Sequence, residues 1–284
     1  MLVAAGGAYS VAAVLPQILA LFVVAIAFAA AGEGYETQEW YLYLNYLIPQ
    51  LGIFLTAILF FRYTKMPVKE FYRPCKWQFF VLAVLLQFGL FSLTFLNILF
   101  QEALEGWGLS GAEVTLPSME GAKILPVLLV VGVLPAIFEE TLFRGILTGT
   151  MHRQGWGALF TVLISAAAFS LFHANPIQTI YQFLCGAAYA LLAVRSGSVL
   201  PTMIAHFLNN AVIILVTAFE VELLSLPFVI CSAIVLAFTL GYLIFFTGRG
   251  SNFGRMKGAK FFFSGASVGI ILCLITWFIV LCQA

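Results

Sequence analysis

ILPVLLVVGVLPAIFEETLFRGILTG, residues 124–149, is an apolar run that holds Glu139, Glu140 and Arg144. At about 1.5 Å of rise per residue, a helix over this run covers the roughly 30 Å hydrocarbon core of a bilayer. A charged side chain at the centre of such a helix costs roughly 2.5–3.5 kcal/mol, so three cost on the order of 8–10 if additive. Groups retained at that cost face a bundle interior and carry function.

Similar runs recur along the chain. Its 284 residues are 63% hydrophobic and 9% charged, whereas soluble domains are about half apolar and a quarter charged. Apolar runs near 10–31, 41–61, 78–101, 124–149, 157–174, 177–194, 201–219, 227–247 and 261–281 read as helices that span a membrane. The run 157–174 is short for a span. The first run has no basic n-region and no cleavage signature, so it reads as a retained helix. The net charge of +1 points to no nucleic-acid partner. The cysteines Cys75, Cys185, Cys231, Cys273 and Cys282 have no metal-like spacing and read as packing residues.

Loop charges fix an expected orientation. With a cytoplasmic N-terminus, the inner loops are 62–77, 150–156, 195–200 and 248–260, and they carry 11 of the 13 Lys and Arg residues. The outer loops carry glutamates, among them Glu33, Glu39, Glu102, Glu113, Glu120 and Glu222. Lysine and arginine bias sets orientation, so the protein is expected in the cell membrane with its N-terminus cytoplasmic. Trp40, Tyr41, Trp77, Trp107 and Trp156 fall near the interfaces, where aromatic belts form. The loop 248–260 is basic and reads as facing lipid headgroups.

Five ionisable groups remain inside the membrane: Glu139, Glu140, Arg144, His173 and His206. Glu140 and Arg144 are i,i+4 on one helical face and can pair. Glu139 lies about 100° round the helix from Glu140. The simplest division makes Glu140–Arg144 an ion pair and leaves Glu139 for chemistry. Pro135 removes a backbone hydrogen bond one turn before Glu139 and kinks the helix there. His206 and Asn210 are also i,i+4, so both can donate to a developing oxyanion. Each of these polar groups taken singly also reads as glue between helices.

Several chemistries drop out. The chain contains no Asp, which excludes a paired-aspartate intramembrane protease. It has no HExxH zinc motif. Gly265-Ala266-Ser267-Val268-Gly269 matches GxSxG, but it lies within the last span and reads as small-residue packing. What remains is water activated by a carboxylate, with His173 orienting it and relaying its proton. Zinc held by Glu139, His173 and His206 is left open by spacing alone.

Three motifs carry a family resemblance. Glu139-Glu140-Thr141-Leu142-Phe143-Arg144 fits EExxxR, Phe169-Ser170-Leu171-Phe172-His173 fits FxxxH, and His206-Phe207-Leu208-Asn209-Asn210 fits HxxxN. In order and spacing the chain resembles the CPBP family, also called the ABI family, which includes type II CAAX prenyl endopeptidases and proteins linked to bacteriocin self-immunity. The resemblance covers about 124–218. It implies an all-α polytopic membrane protein, a bundle of about eight to nine transmembrane helices with an intramembrane active-site cavity. It also implies a glutamic endopeptidase acting on a membrane-associated protein or peptide without a metal or other cofactor. By match, Glu139 is the base, His173 its partner, His206 and Asn210 the oxyanion site, and Glu140–Arg144 the supporting pair. The chain then divides into N-terminal helices (1–123), a catalytic core (124–218) and C-terminal helices (219–284). The alternatives are a non-catalytic scaffold or immunity protein of the same fold, and an ion carrier using the same buried charges.

Depth along the helices creates a tension. Measured from the expected cytoplasmic ends, Glu139, His173 and His206 differ by up to roughly 16 Å. A single site needs a tilt, a kink at Pro135, or a helix that starts inside the bundle at Pro201.

Overall fold

The computed structural model of the chain describes residues 1–112, 115–222, 224–248 and 254–282. Glu113, Arg249 and most of the segment 249–260 that precedes Arg255 lie outside the described residues or at their edge. Every apolar run forms a helix. The helices are α1 (Leu2–Ala31), α2 (Glu39–Thr64), α3 (Gln78–Gly106), α4 (Gly121–Arg153), α5 (Ala158–Phe172), α6 (Pro176–Ser196), α7 (Leu200–Ala218), α8 (Leu226–Phe245) and α9 (Ala259–Leu281). Eight of them are long and apolar enough to cross a membrane. The exception is α5, whose 15 residues span only about 22 Å. The protein is an all-α, multi-pass membrane bundle. Leu21, Phe22, Phe238, Phe245, Ile271 and Phe278 are exposed on α1, α8 and α9, as side chains facing lipid tails would be.

The cause of the short α5 is local. Ala174 takes a left-handed φ of 48°, and Asn175 is extended ahead of Pro176. A proline disfavours helical geometry in the residue before it and cannot continue the helix. The segment between α3 and α4 then covers this end, where Asn175 Nδ2 donates to the Ala112 carbonyl at 2.8 Å.

α4 is the axis of the bundle. α7 lies along it, and α1, α2, α5 and α6 also pack on it. Two apolar cores flank it. One gathers Tyr9, Ile53, Phe143, Ile146, Phe169 and Phe262; the other gathers Leu86, Tyr181, Tyr189, Leu192 and Leu236. α1 and α9 close the bundle on glycines. A Cβ at Gly6 would stand 2.1 Å from the Phe262 carbonyl oxygen, and one at Gly265 would stand 2.4 Å from that of Val3. The GxSxG stretch is therefore a packing seam: Ser10 Oγ donates to the Gly265 carbonyl at 2.7 Å, while Ser267 is exposed and bonds only within its own helix.

Two expectations about aromatic belts need correction. Trp77 and Trp107 are exposed at helix ends, but Trp156 and Tyr41 are buried. The Trp156 indole N–H donates to the Lys257 carbonyl at 2.9 Å, so it pins one loop to another. The cysteines also divide: Cys185 and Cys273 are buried as packing residues, whereas Cys231 and Cys282 are exposed.

Candidate active site

Glu139 and Glu140 occupy a short α-helical stretch, Leu134–Glu140, between two π-helical stretches, Leu128–Val133 and Thr141–Thr148. π-Helical turns widen a helix and recur at functional sites. Pro135 supplies one cause, since it has no N–H for the Val131 carbonyl four residues before it. Gly132 and Gly145 flank the same region.

Glu139 is buried, and its two oxygens meet different partners. Oε1 accepts from Gln50 Nε2 of α2 at 2.9 Å. Oε2 is buried without a hydrogen-bond partner. It lies 4.0 Å from His173 Nε2 and 3.9 Å from His206 Nε2. The imidazoles are turned by their other nitrogens. His173 Nδ1 lies 2.8 Å from the Phe169 carbonyl, which can only accept, so Nδ1 carries the proton. His206 Nδ1 lies 2.9 Å from Glu140 Oε1, and a carboxylate likewise makes it the donor. In the neutral rings both Nε2 atoms then present lone pairs toward Glu139 Oε2. Two imidazole acceptors 3.9–4.0 Å from a carboxylate acceptor call for a shared proton or a molecule that donates, such as water.

The depth tension is resolved at the start of α7. The turn before it does not reach the end of the bundle. Ser198 and Val199 are both 3% exposed, and the Val199 N–H donates to the carbonyl of buried Phe71 at 3.1 Å. The segment 65–77 thus overlies this turn, and α7 begins inside the protein. Pro201 in its first turn is preset for a helix start.

Glu140 and Arg144 form a wholly buried ion pair, with Nη1 donating to Oε1 at 2.9 Å. The guanidinium lies 4.2 Å from the Phe169 ring centroid and 5.2 Å from that of Tyr189. These rings belong to the two different cores, so Arg144 sits at their seam. A buried pair survives desolvation only with further contacts. Here they are the two ring faces and the Gly186 carbonyl, 3.4 Å from Nη2. Tyr189 also stacks on His206, with centroids 5.9 Å apart.

The hydrogen bonds of Asn210 go to other partners. Its Nδ2 donates to the Val131 carbonyl at 3.1 Å, the group that Pro135 leaves without its α-helical partner. Its Oδ1 accepts from Asn209 Nδ2 at 3.1 Å. One N–H of Asn210 Nδ2 is left over from these bonds.

Gln50 and Tyr189 join the site without having been singled out for it, and Phe169, quoted only as the first residue of FxxxH, joins it as the ring beside Arg144. A polar residue inside the apolar run 41–61 was the available signal for Gln50. For zinc, ligands at 2.0–2.1 Å in a tetrahedron stand about 3.4 Å apart. The present separations of 3.9–4.0 Å are wider, and among the described residues no His, Cys, Asp or Glu set is placed to hold a metal ion.

Residues 121–212 match the family model described as type II CAAX prenyl endopeptidase Rce1-like. No curated protein and no solved structure shows a significant match to the chain. The matched segment runs from the start of α4 into α7 and contains Glu139, Glu140, Arg144, His173, His206 and Asn210. Through that segment, about a third of the chain, the protein is similar to the type II CAAX prenyl endopeptidases.

Proposed function

We propose that the protein is an intramembrane glutamic endopeptidase that hydrolyses a peptide bond in a membrane-associated protein or peptide. The supporting observation is the convergence of Glu139 Oε2, itself without a partner, with the Nε2 atoms of His173 and His206. A water between them donates one hydrogen to Oε2 and is oriented by His173. Its oxygen bonds to the scissile carbonyl carbon as its proton passes to Glu139. The C–N bond then breaks, and the proton passes by way of His173 to the leaving nitrogen. The oxyanion is met by His206 Nε2 and the second N–H of Asn210. His206 can donate there only when Nε2 also carries a proton, because Nδ1–H is committed to Glu140. Glu140 and Arg144 support the site by holding His206 in register.

The test is cleavage of a fluorogenic peptide ending in a prenylated Cys-aliphatic-aliphatic-X box, with purified protein in liposomes. Glu139→Gln is expected to lower kcat by about 10²–10⁴-fold, the range for loss of a general base. A chelator is expected to leave the wild-type rate unchanged. Equal rates for wild type and Glu139→Gln would refute the assignment. If neither protein cleaves, comparing the peptides of membranes that contain wild type or Glu139→Gln separates another substrate from a non-catalytic scaffold.

A further inference from the structure

We infer that Gln50, on α2 and outside the segment that carries the motifs, is a positioning residue for Glu139: its amide N–H holds Oε1 so that only Oε2 faces the histidines. This rests on the proteolytic reading above. The geometry is direct. Gln50 is buried, its Nε2 is 2.9 Å from Glu139 Oε1, and the two residues are 89 positions apart. The Gln50 carbonyl Oε1 is buried without a hydrogen-bond partner, as is Glu139 Oε2. The amide therefore gives up a hydrogen bond on one side while making this one on the other. At a buried position that choice costs free energy.

The consequence is an inequivalent carboxylate. A free Glu side chain rotates about its last bond and offers either oxygen. With Oε1 held by a donor, a water between the carboxylate and the imidazoles meets Oε2 alone. The rotamer is also restrained at its base: Phe138 packs against Phe54, one turn beyond Gln50 on α2, with centroids 5.2 Å apart. Pro49 precedes Gln50 within α2, and Gly52 lets α1 approach there: a Cβ on it would meet the Pro16 ring at 2.5 Å. Gln50 thus lies on a stretch of α2 clamped from both sides.

The experiment uses Gln50→Met, which keeps length and loses both polar atoms, and the isosteric Gln50→Glu, which loses the obligate donor. Cleavage of the prenylated peptide is followed, together with the infrared carboxylate band that disappears in Glu139→Gln. Gln50→Met is expected to lower kcat by about tenfold to a hundredfold, the equivalent of one hydrogen bond to a charged group, with KM unchanged. The band is expected to shift, which reports loss of the pairing, while the fall in kcat at unchanged KM is the readout that a merely structural role for Gln50 would not give. If Gln50→Met does not fold, Gln50→Glu is expected to give the same loss of kcat and a displaced band. An unmoved band in a folded variant overturns the pairing. A shifted band with an unchanged kcat overturns the positioning role. A shifted band in a protein whose wild type cleaves nothing overturns the proteolytic reading and leaves the Gln50–Glu139 contact standing.

Discussion

Glu140 Oε1 accepts two hydrogen bonds of 2.9 Å, one from Arg144 and one from His206. One atom thus neutralises a buried cation and orients an imidazole. Helix spacing alone gave Glu140 only the first task, because i,i+4 geometry says nothing about a residue on another helix. Removing the carboxylate should therefore have separable effects. Glu140→Ala leaves the Arg144 guanidinium buried and unpaired, and is expected to cost about 3–5 kcal/mol of stability. The double variant Glu140→Ala/Arg144→Leu removes the uncompensated charge and is expected to recover most of that loss. It should not recover cleavage, because His206 Nδ1 still lacks its acceptor. Thermal unfolding in detergent and peptide cleavage, measured on the same preparations, check both halves. If activity returned along with stability, Glu140 would have no role beyond its ion pair.

α4 is where local chemistry and long-range packing depend on each other most. Its π-helical stretches and Pro135 leave the Val131 carbonyl without its α-helical donor, and Asn210 of α7 supplies one at 3.1 Å. Orphaned buried carbonyls are costly, so this contact fixes how α7 sits against α4. Asn210→Ala is expected to destabilise the protein by about 1–3 kcal/mol. In a Pro135→Ala background, where residue 135 again has an N–H, the same substitution should cost less. A double-mutant cycle read by thermal unfolding measures that coupling; strict additivity would show that Asn210 does not serve this carbonyl. How far such features are legible in a sequence depends on their range. Helix existence followed from apolar run length, and all nine runs are helical. The separation of Glu139 from Glu140 followed from 100° of helical rotation. The π-helical stretches were not legible, because Gly132, Pro135 and Gly145 suggest irregularity without specifying which hydrogen bonds are lost. Gln50 was not legible as a partner of Glu139 either, since one sequence does not say which face of α2 meets α4. The buried start of α7 depends on Phe71, in a loop that sequence assigns only to a membrane surface.

Across the whole molecule the basic loops collect at one end. Arg153 lies 3.7 Å from Glu70, the Val199 N–H meets the Phe71 carbonyl, and Trp156 meets the Lys257 carbonyl. Gly258 packs against Leu2, which brings the start of α1 to the same end. The glutamate-rich segments meet elsewhere: Lys123 pairs with Glu39 at 3.3 Å, and Tyr46 donates to the Thr115 carbonyl at 2.9 Å. The turn after α5 joins that second group through Asn175 and Ala112. α5 therefore runs from one end to the other despite its length, because the α3–α4 segment comes to meet it. The first and last helices both begin at the basic end. Positive charge is retained on the cytoplasmic side during insertion, so the basic end is expected there. An impermeant maleimide tests this in a background with the accessible Cys75, Cys231 and Cys282 replaced, which leaves Cys185 and Cys273 buried. Glu120→Cys should label in intact cells and Arg73→Cys only after permeabilisation, both positions being exposed. The opposite pattern would invert the protein. Labelling of both positions from outside would mean that α3, the one helix between them, does not cross the membrane.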